Sequence, residues 1–216
     1  MNARIAGLFH PSVALSKADT SLRYTDILFG FVIKELFTRL QNWPRLDISV
    51  RLHLVVATTL VLGSWIGYRR SVNRTAYEVK FFNLPFFRFI VDQLMLVFYF
   101  RIAVLTNIEP STAPPVDLSS HTLALVLWIF ALYLIWDGLC IWMSFTTIDS
   151  PRQLRYPDQH ADWTGTAITV CTLLVLALLK SRFGSSLIML PALIAILILY
   201  RWAKEVRTTW KTPAVA

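Results

Sequence analysis

Five runs of about twenty apolar residues, separated by short basic or proline-containing connections, constrain this chain more than any other feature. The hydrocarbon layer of a bilayer is about 30 Å thick and a helical residue rises about 1.5 Å, so about 20 apolar residues make one crossing. Segments 48–68, 86–106, 121–145, 162–179 and 185–203 meet that length. A sixth, 24–40, is shorter and carries Asp26, Lys34, Glu35 and Arg39. It reads as the first span; the alternative is an amphipathic helix lying in the interface. Only 16% of the 216 residues are charged and 56% are hydrophobic, whereas soluble domains carry about a quarter charged residues. The expected fold class is all-α: a polytopic integral membrane helical bundle of about six transmembrane helices, forming one transmembrane domain over residues 1–216.

The formal net charge of +8 does not mark a nucleic-acid binder, because the basic residues sit between apolar runs and not on one polar domain. They follow a topology pattern instead. With six spans, one side collects Arg4, Lys17, Arg23, Arg69, Arg70, Arg74, Lys80, Arg88, Arg152, Arg155, Arg201, Lys204, Arg207 and Lys211. The other holds Arg39, Arg45, Lys180 and Arg182. Fourteen against four places both termini in the cytoplasm of a multi-pass protein of the cell membrane. Five spans would move Arg4, Lys17 and Arg23 outside and weaken the asymmetry. Trp43, Trp65, Trp142, Trp163 and Trp202 fall near span ends, where indoles prefer the headgroup layer, while Trp128 and Trp136 lie deeper and read as packing residues. In the basic stretch 69–88, Phe81, Phe82, Phe86 and Phe87 suit the acyl boundary of an interfacial turn.

Ionisable groups inside spans are costly and mark candidate functional sites. On a helix with 100° per residue, Arg23, Asp26, Gly30, Ile33, Lys34 and Phe37 share one broad face of segment 24–40. That face must meet protein, water or another subunit. It is either a polar pathway, with Thr25 and Ile27 beside it, or an ion-pair network that fixes helix packing. Glu35 and Arg39 form an i,i+4 pair elsewhere. Gly63 and Gly67, one turn apart, permit a close helix-packing contact. His53 reads as a hydrogen-bonded packing residue. Asp92 has Arg88 one turn away, and Arg101 lies deeper on the same helix. Asp137 sits mid-membrane and needs a partner, with Lys34, Arg51 and Arg101 as candidates, unless it is protonated.

Enzyme signatures are missing from the sequence: no His-Glu-x-x-His pair, no Gly-x-Ser-x-Gly elbow and no phosphate-cradling glycine loop. No catalytic residue, cofactor or metal is expected. Asp158, His160 and Asp162 in one loop read as solvated. Cys140 and Cys171 both fall in apolar runs and read as reduced, buried thiols. Met1 to Thr20 has no apolar stretch long enough for a signal-peptide core. No internal repeat is visible.

Arg23-Tyr24-Thr25-Asp26, leading into an apolar helix, resembles the opening motif of the six-span potassium channels of lysosomal and bacterial membranes, an arginine a few residues before Phe-Ser-Asp. Ser64-Trp65-Ile66-Gly67-Tyr68-Arg69-Arg70 is similar to that family's second-helix ending. The resemblance covers about 45 residues of the chain. It implies a cytoplasmic N-terminus, six spans, four copies of the repeat around a pore lined by the first helix, and a gate of bulky apolar residues. By position, Thr25 and Asp26 would organise the inner mouth, and Ile27, Gly30 and Ile33 would line the pathway. Lys34 and Glu35 depart from the family's apolar helix, and a lysine facing such a pore would repel a cation.

Three functions follow as expectations. The first is a channel-like homo-oligomer, a tetramer by the resemblance, passing cations along the first helix. The second is a non-conducting scaffold or accessory subunit that recruits a cytoplasmic or membrane protein through its basic loops. The third is a small proton-coupled transporter using Asp26, Asp92 and Asp137. The lipid bilayer is a partner in all three, and nucleic acid in none.

Overall fold

The computed structural model describes residues 17–74, 82–106, 117–146, 163–183 and 188–210, with side chains over 24–69, 82–106, 117–143, 163–183 and 188–206. Six α-helices run through these residues: α1 Lys17–Leu40, α2 Ile48–Arg74, α3 Leu84–Val104, α4 Leu118–Thr146, α5 Trp163–Phe183 and α6 Met189–Trp210. Each expected segment holds one helix. Three are long and apolar enough to cross a membrane, over Ile48–Arg69, Leu118–Met143 and Trp163–Phe183. The other three, α1, α3 and α6, carry more charge than that.

Local chemistry sets the starts. Asp47 Oδ2 accepts from the Ser49 backbone N–H at 3.2 Å and from the Ser49 hydroxyl at 2.6 Å, capping α2. Those bonds hold the exposed Asp47 carboxyl below its ordinary value of 3.8. Asn83 caps α3 by accepting from the Phe86 N–H at 2.9 Å, and Pro85 occupies the first turn, where no intrahelical donor is needed. Asp117 Oδ1 accepts from the Ser120 N–H at 3.2 Å ahead of α4. Between α1 and α2 a short 3₁₀ turn, Trp43–Arg45, reverses the chain. Arg51 ties it down, donating to the Leu46 carbonyl at 2.8 Å and the Pro44 carbonyl at 3.1 Å, with its guanidinium over Trp43.

The helices close a ring. α1 packs on α2 and α3, α3 on α4, α4 on α5, α5 on α6 and α6 on α2, while α2 and α4 also meet across the middle. His53 meets Thr122 and Ser64 meets Tyr133, both at an offset of 69 residues, so α2 and α4 run parallel. Phe29 against Tyr99 and Arg39 against Thr106 set α1 parallel to α3 in the same way. α2, α4 and α6 therefore finish at the end where α1, α3 and α5 begin. In lipid the apolar interior drives little association, and close packing and interhelical hydrogen bonds must hold such a ring. The core lines up at helical spacing: Phe29, Val32 and Leu36 on α1, and Leu54, Ala57, Leu60 and Val61 on α2.

Two packing expectations change. Trp128 is 62% exposed and stacks on Phe98 at 6.4 Å, because Val126, Ile129 and Phe130 take the inward face of α4. Cys171 is also exposed, lying about 200° around α5 from the buried Thr169, whereas Cys140 is half-buried. Trp142, Trp163 and Trp202 are exposed near helix ends, as is Phe82, which adopts φ 63° just before α3. Phe81 and the His160 loop lie outside the described residues.

Candidate functional site

Polar side chains are drawn into the bundle at two levels. The first lies where α1 ends and α2 begins. Arg39, buried on α1, pairs with Glu35 at 2.7 Å and donates to the Thr106 carbonyl beyond α3. His53 is fully buried, with Nε2 2.9 Å from the Ile102 carbonyl and Nδ1 2.7 Å from the Thr122 hydroxyl. A carbonyl only accepts, so the Nε2 proton is fixed by its partner. This level clamps α1, α2, α3 and α4 together and holds no ligand-sized charge surplus.

The second level is the candidate site, and all six helices reach it. On α1, Thr25 is buried and its side chain hydrogen-bonds Tyr68. Asp26 accepts from Arg69 Nη1 at 2.7 Å and Trp65 Nε1 at 3.2 Å. Arg69 is more than half exposed, so this pair sits at the rim and contributes little on its own. On α3, Arg88 and Asp92 are both buried one turn apart, and the Arg88 guanidinium lies 4.4 Å from the Trp136 ring centroid.

α4 supplies Tyr133, Trp136, Asp137 and Cys140, all within two turns at i, i+3, i+4 and i+7, which places them on one face. Asp137, only 12% exposed, accepts from the Thr169 hydroxyl of α5 at 2.8 Å and pairs with Lys204 of α6 at 3.4 Å. Thr169 shares its hydroxyl with the Gly165 carbonyl at 3.0 Å. The Lys204 ammonium also lies 5.0 Å from the Tyr200 ring centroid. One carboxylate thus joins three helices.

Beside it, Arg201 crosses from α6 to α2. Its Nη2 donates to the Ser64 hydroxyl at 2.7 Å and lies 3.4 Å from the Tyr133 hydroxyl. Ser64 in turn bonds Tyr133 and donates to the Leu60 carbonyl, and Tyr133 meets the Tyr99 hydroxyl at 2.8 Å. The guanidinium carbon lies 5.9 Å from the Tyr133 ring and 5.6 Å from the Tyr200 ring, which are parallel to within 5°. Gly63 and Gly67 make this crossing possible. A Cβ on Gly63 would stand 2.7 Å from Arg201 Nε, and one on Gly67 would stand 2.9 Å from Nη1. The close contact expected of this glycine pair is therefore made by a side chain of α6, not by a second backbone.

The candidate residues separate by face. Thr25 and Asp26 turn inward, while Ile27, Gly30 and Lys34 lie on the outward face of α1 and Ile33 is half-buried between. The side chain of Arg23 lies outside the described residues. Asp92 and Asp137 are in the inner layer, but Arg101 is exposed near the far end of α3. None of the three partners expected for Asp137 reaches it, because Lys34 and Arg101 face outward and Arg51 is bonded to the α1–α2 turn. Lys204 takes their place. In the sequence Arg201 and Lys204 read as charges of the topology rule and Ser64 only as part of a second-helix motif, while Tyr133 and Thr169 carry no reading. The available signal was polar spacing: Tyr133 and Asp137 one turn apart, and Tyr200 and Lys204 one turn apart.

Among the described residues no group of three or more His, Cys, Asp or Glu side chains is placed to hold a metal ion. No family model, curated protein or solved structure matches the chain. Any functional reading therefore rests on the chemistry of the layer itself.

Proposed function

We propose that this chain is a six-span integral membrane protein of the cell membrane, both termini cytoplasmic, that moves a small charged solute or ion coupled to protons through the polar layer inside its bundle. One observation carries the reading: Asp137, six residues before the end of the apolar span of α4 and almost enclosed, is held jointly by Thr169 and Lys204 from the two following helices. Burying an ion pair costs several kcal/mol per ion, so such pairs are weak devices for stability and common ones for function. Loss of the Asp137 charge would undo the pair with Lys204 while the neutral carboxyl still accepts from Thr169, loosening α6 from α4. That is a bistable contact a proton can bias.

The charge that disqualifies α3 and α6 as simple apolar spans supports six crossings, since Arg88, Asp92, Arg201 and Lys204 turn into the bundle and leave apolar surface outward. The fourteen-to-four distribution of basic residues supports the orientation. A second reading, the homo-oligomeric channel along α1, is favoured by the exposed stripe of Ile27, Gly30, Phe31 and Lys34. It receives less support, because Asp26 and Thr25 are turned away from that stripe and Lys34 is its one charge among the described residues. The partner-recruiting reading rests on a basic loop whose Arg70, Arg74 and Lys80 side chains lie outside the described residues.

Purified protein in liposomes carrying a pH-sensitive dye tests the proposal. Dissipation of an imposed pH gradient that depends on the solute supplied is expected. A folded protein that leaves the gradient intact with every cation and anion tried would overturn it.

A further inference from the structure

Asp137 Oδ2 has two partners that hold it unequally. The Thr169 hydroxyl donates at 2.8 Å, an ordinary hydrogen-bond length, whereas the Lys204 ammonium stands off at 3.4 Å. A charge-assisted N–H bond to a carboxylate is closer to about 2.8 Å. The carboxylate is thus fixed to α5, and α6 is tethered to it loosely. Lys204 is also 26% exposed, against 12% for Asp137.

Three tryptophans set the level of this joint in the bilayer. Trp142 on α4, Trp163 on α5 and Trp202 on α6 are each more than half exposed, one on every helix that meets at Asp137. α4 and α6 finish where α5 begins, so all three indoles lie at one end of the bundle, and indoles prefer the headgroup layer. Asp137 is five residues short of Trp142 and Thr169 is six past Trp163, which puts both about 8–9 Å below that layer at about 1.5 Å per residue. Lys204 is two residues beyond Trp202. Its Cα therefore stands in the headgroup layer while its ammonium is drawn back into the bundle, 5.0 Å from the Tyr200 ring centroid. A lysine at a helix end ordinarily does the reverse and keeps its ammonium among the headgroups. Rotation about the stem separates the two positions, and the outward one lacks a counter-charge until an anion supplies it.

We infer that the α4–α5–α6 corner binds the headgroup of an anionic phospholipid, with Lys204 shared between that headgroup and Asp137. Lipid phosphate and Asp137 carboxylate compete for one ammonium. Thr169 stays on the carboxylate when the ammonium leaves, so the exchange leaves Asp137 hydrogen-bonded. An anionic leaflet favours each lysine at its surface by about fivefold, enough to bias a contact this loose. The inference rests on the membrane placement proposed above and not on transport.

The test uses the full chain in nanodiscs of phosphatidylcholine with and without phosphatidylglycerol, the lipids retained on release being read by native mass spectrometry. Wild type should retain phosphatidylglycerol preferentially, and Lys204→Gln about fivefold more weakly. Asp137→Asn, which removes the competing carboxylate, should retain it about fivefold more tightly than wild type. Lys204→Arg keeps a cation on a long stem and should match wild type, and Lys34→Gln on the exposed face of α1 should change nothing. The destabilisation of Asp137→Asn in neutral detergent should also shrink when phosphatidylglycerol is added and persist with phosphatidylcholine. Retention by Asp137→Asn no tighter than wild type, or by Lys204→Gln equal to it, overturns the shared site. If Asp137→Asn does not fold, Lys204→Arg decides, and retention as weak as that of Lys204→Gln overturns it. Displacement of the lipid by inorganic phosphate, with chloride at equal ionic strength as the comparison, would mark a free-anion site and overturn the lipid. Lys204-dependent retention without any flux in liposomes upholds the site and sinks the transport reading alone.

Discussion

Arg201 Nε lies 2.7 Å from the point where a side chain on Gly63 would begin, so a single hydrogen at position 63 makes room for the crossing of α6 onto α2. Alanine normally stabilises a helix by about 1 kcal/mol over glycine. At Gly63 that gain meets Nε, Cδ and Cγ of Arg201 together, a contact that side-chain tip motion alone does not relieve. Gly63→Ala should cost about 1–3 kcal/mol, the range of overpacking. In an Arg201→Ala background the same substitution should become neutral or stabilising, as a double-mutant cycle of melting in detergent will show.

Gly30 and Gly138 have open space where a Cβ would go. Alanine at either position should stabilise by about 0.5–1 kcal/mol. Gly67→Ala meets only the tip of Arg201 and should fall between these two cases. A ranking of the four melting temperatures checks the packing directly.

Breaking the Asp137–Lys204 pair from one side leaves a charge behind in a setting with little water. Asp137→Asn should destabilise by about 3 kcal/mol, because removal of one partner of an enclosed pair costs more than the pair contributes. Adding Lys204→Met should recover much of the loss. Chemical unfolding of the two variants and wild type is the measurement, and an equally unstable double variant would contradict the pairing.

His53 is enclosed with both ring nitrogens bonded, to Ile102 and Thr122. His53→Ala should cost about 2–5 kcal/mol through a cavity and an unsatisfied carbonyl. His53→Gln, which can still reach one of the two partners, should cost less.

Asp47 acts at an exposed helix start, so its effect is one of pH. Its folded value lies below the ordinary 3.8 because the Ser49 hydroxyl and backbone N–H favour the ionised carboxylate. A depressed acid stabilises above its unfolded value and loses that contribution as pH falls through the folded one. The melting difference between wild type and Asp47→Asn should therefore be constant from neutral pH to about 4 and shrink below it. A difference that grew on acidification would contradict the cap.

Much of the fold was legible because span length and cap chemistry are local. Asp47-x-Ser49 and Asn83-Leu84-Pro85 mark the starts of α2 and α3 to within two residues of the expected segments. Orientation was legible only where a helix has a polar face. α1 sets Thr25, Phe29, Val32 and Leu36 inward and Lys34 outward, whereas the middle of α4 and of α5 around Trp128 and Cys171 is apolar on every side, so neither residue could be turned correctly from spacing. Arg201 shows the remaining limit. It follows an apolar run just as a surface arginine does, and the glycines and serine that draw it inward lie more than 130 residues earlier in the chain.

The proposed pathway runs through the inner layer of the bundle and not along the outward stripe of α1. Proton and solute flux in liposomes, compared for wild type, Asp137→Asn and Lys34→Ala at matched incorporation, tests it most directly. Loss of coupled flux in Asp137→Asn with near wild-type flux in Lys34→Ala is the predicted result. Unchanged flux in Asp137→Asn, with Lys34→Ala opening or abolishing conduction, would contradict it.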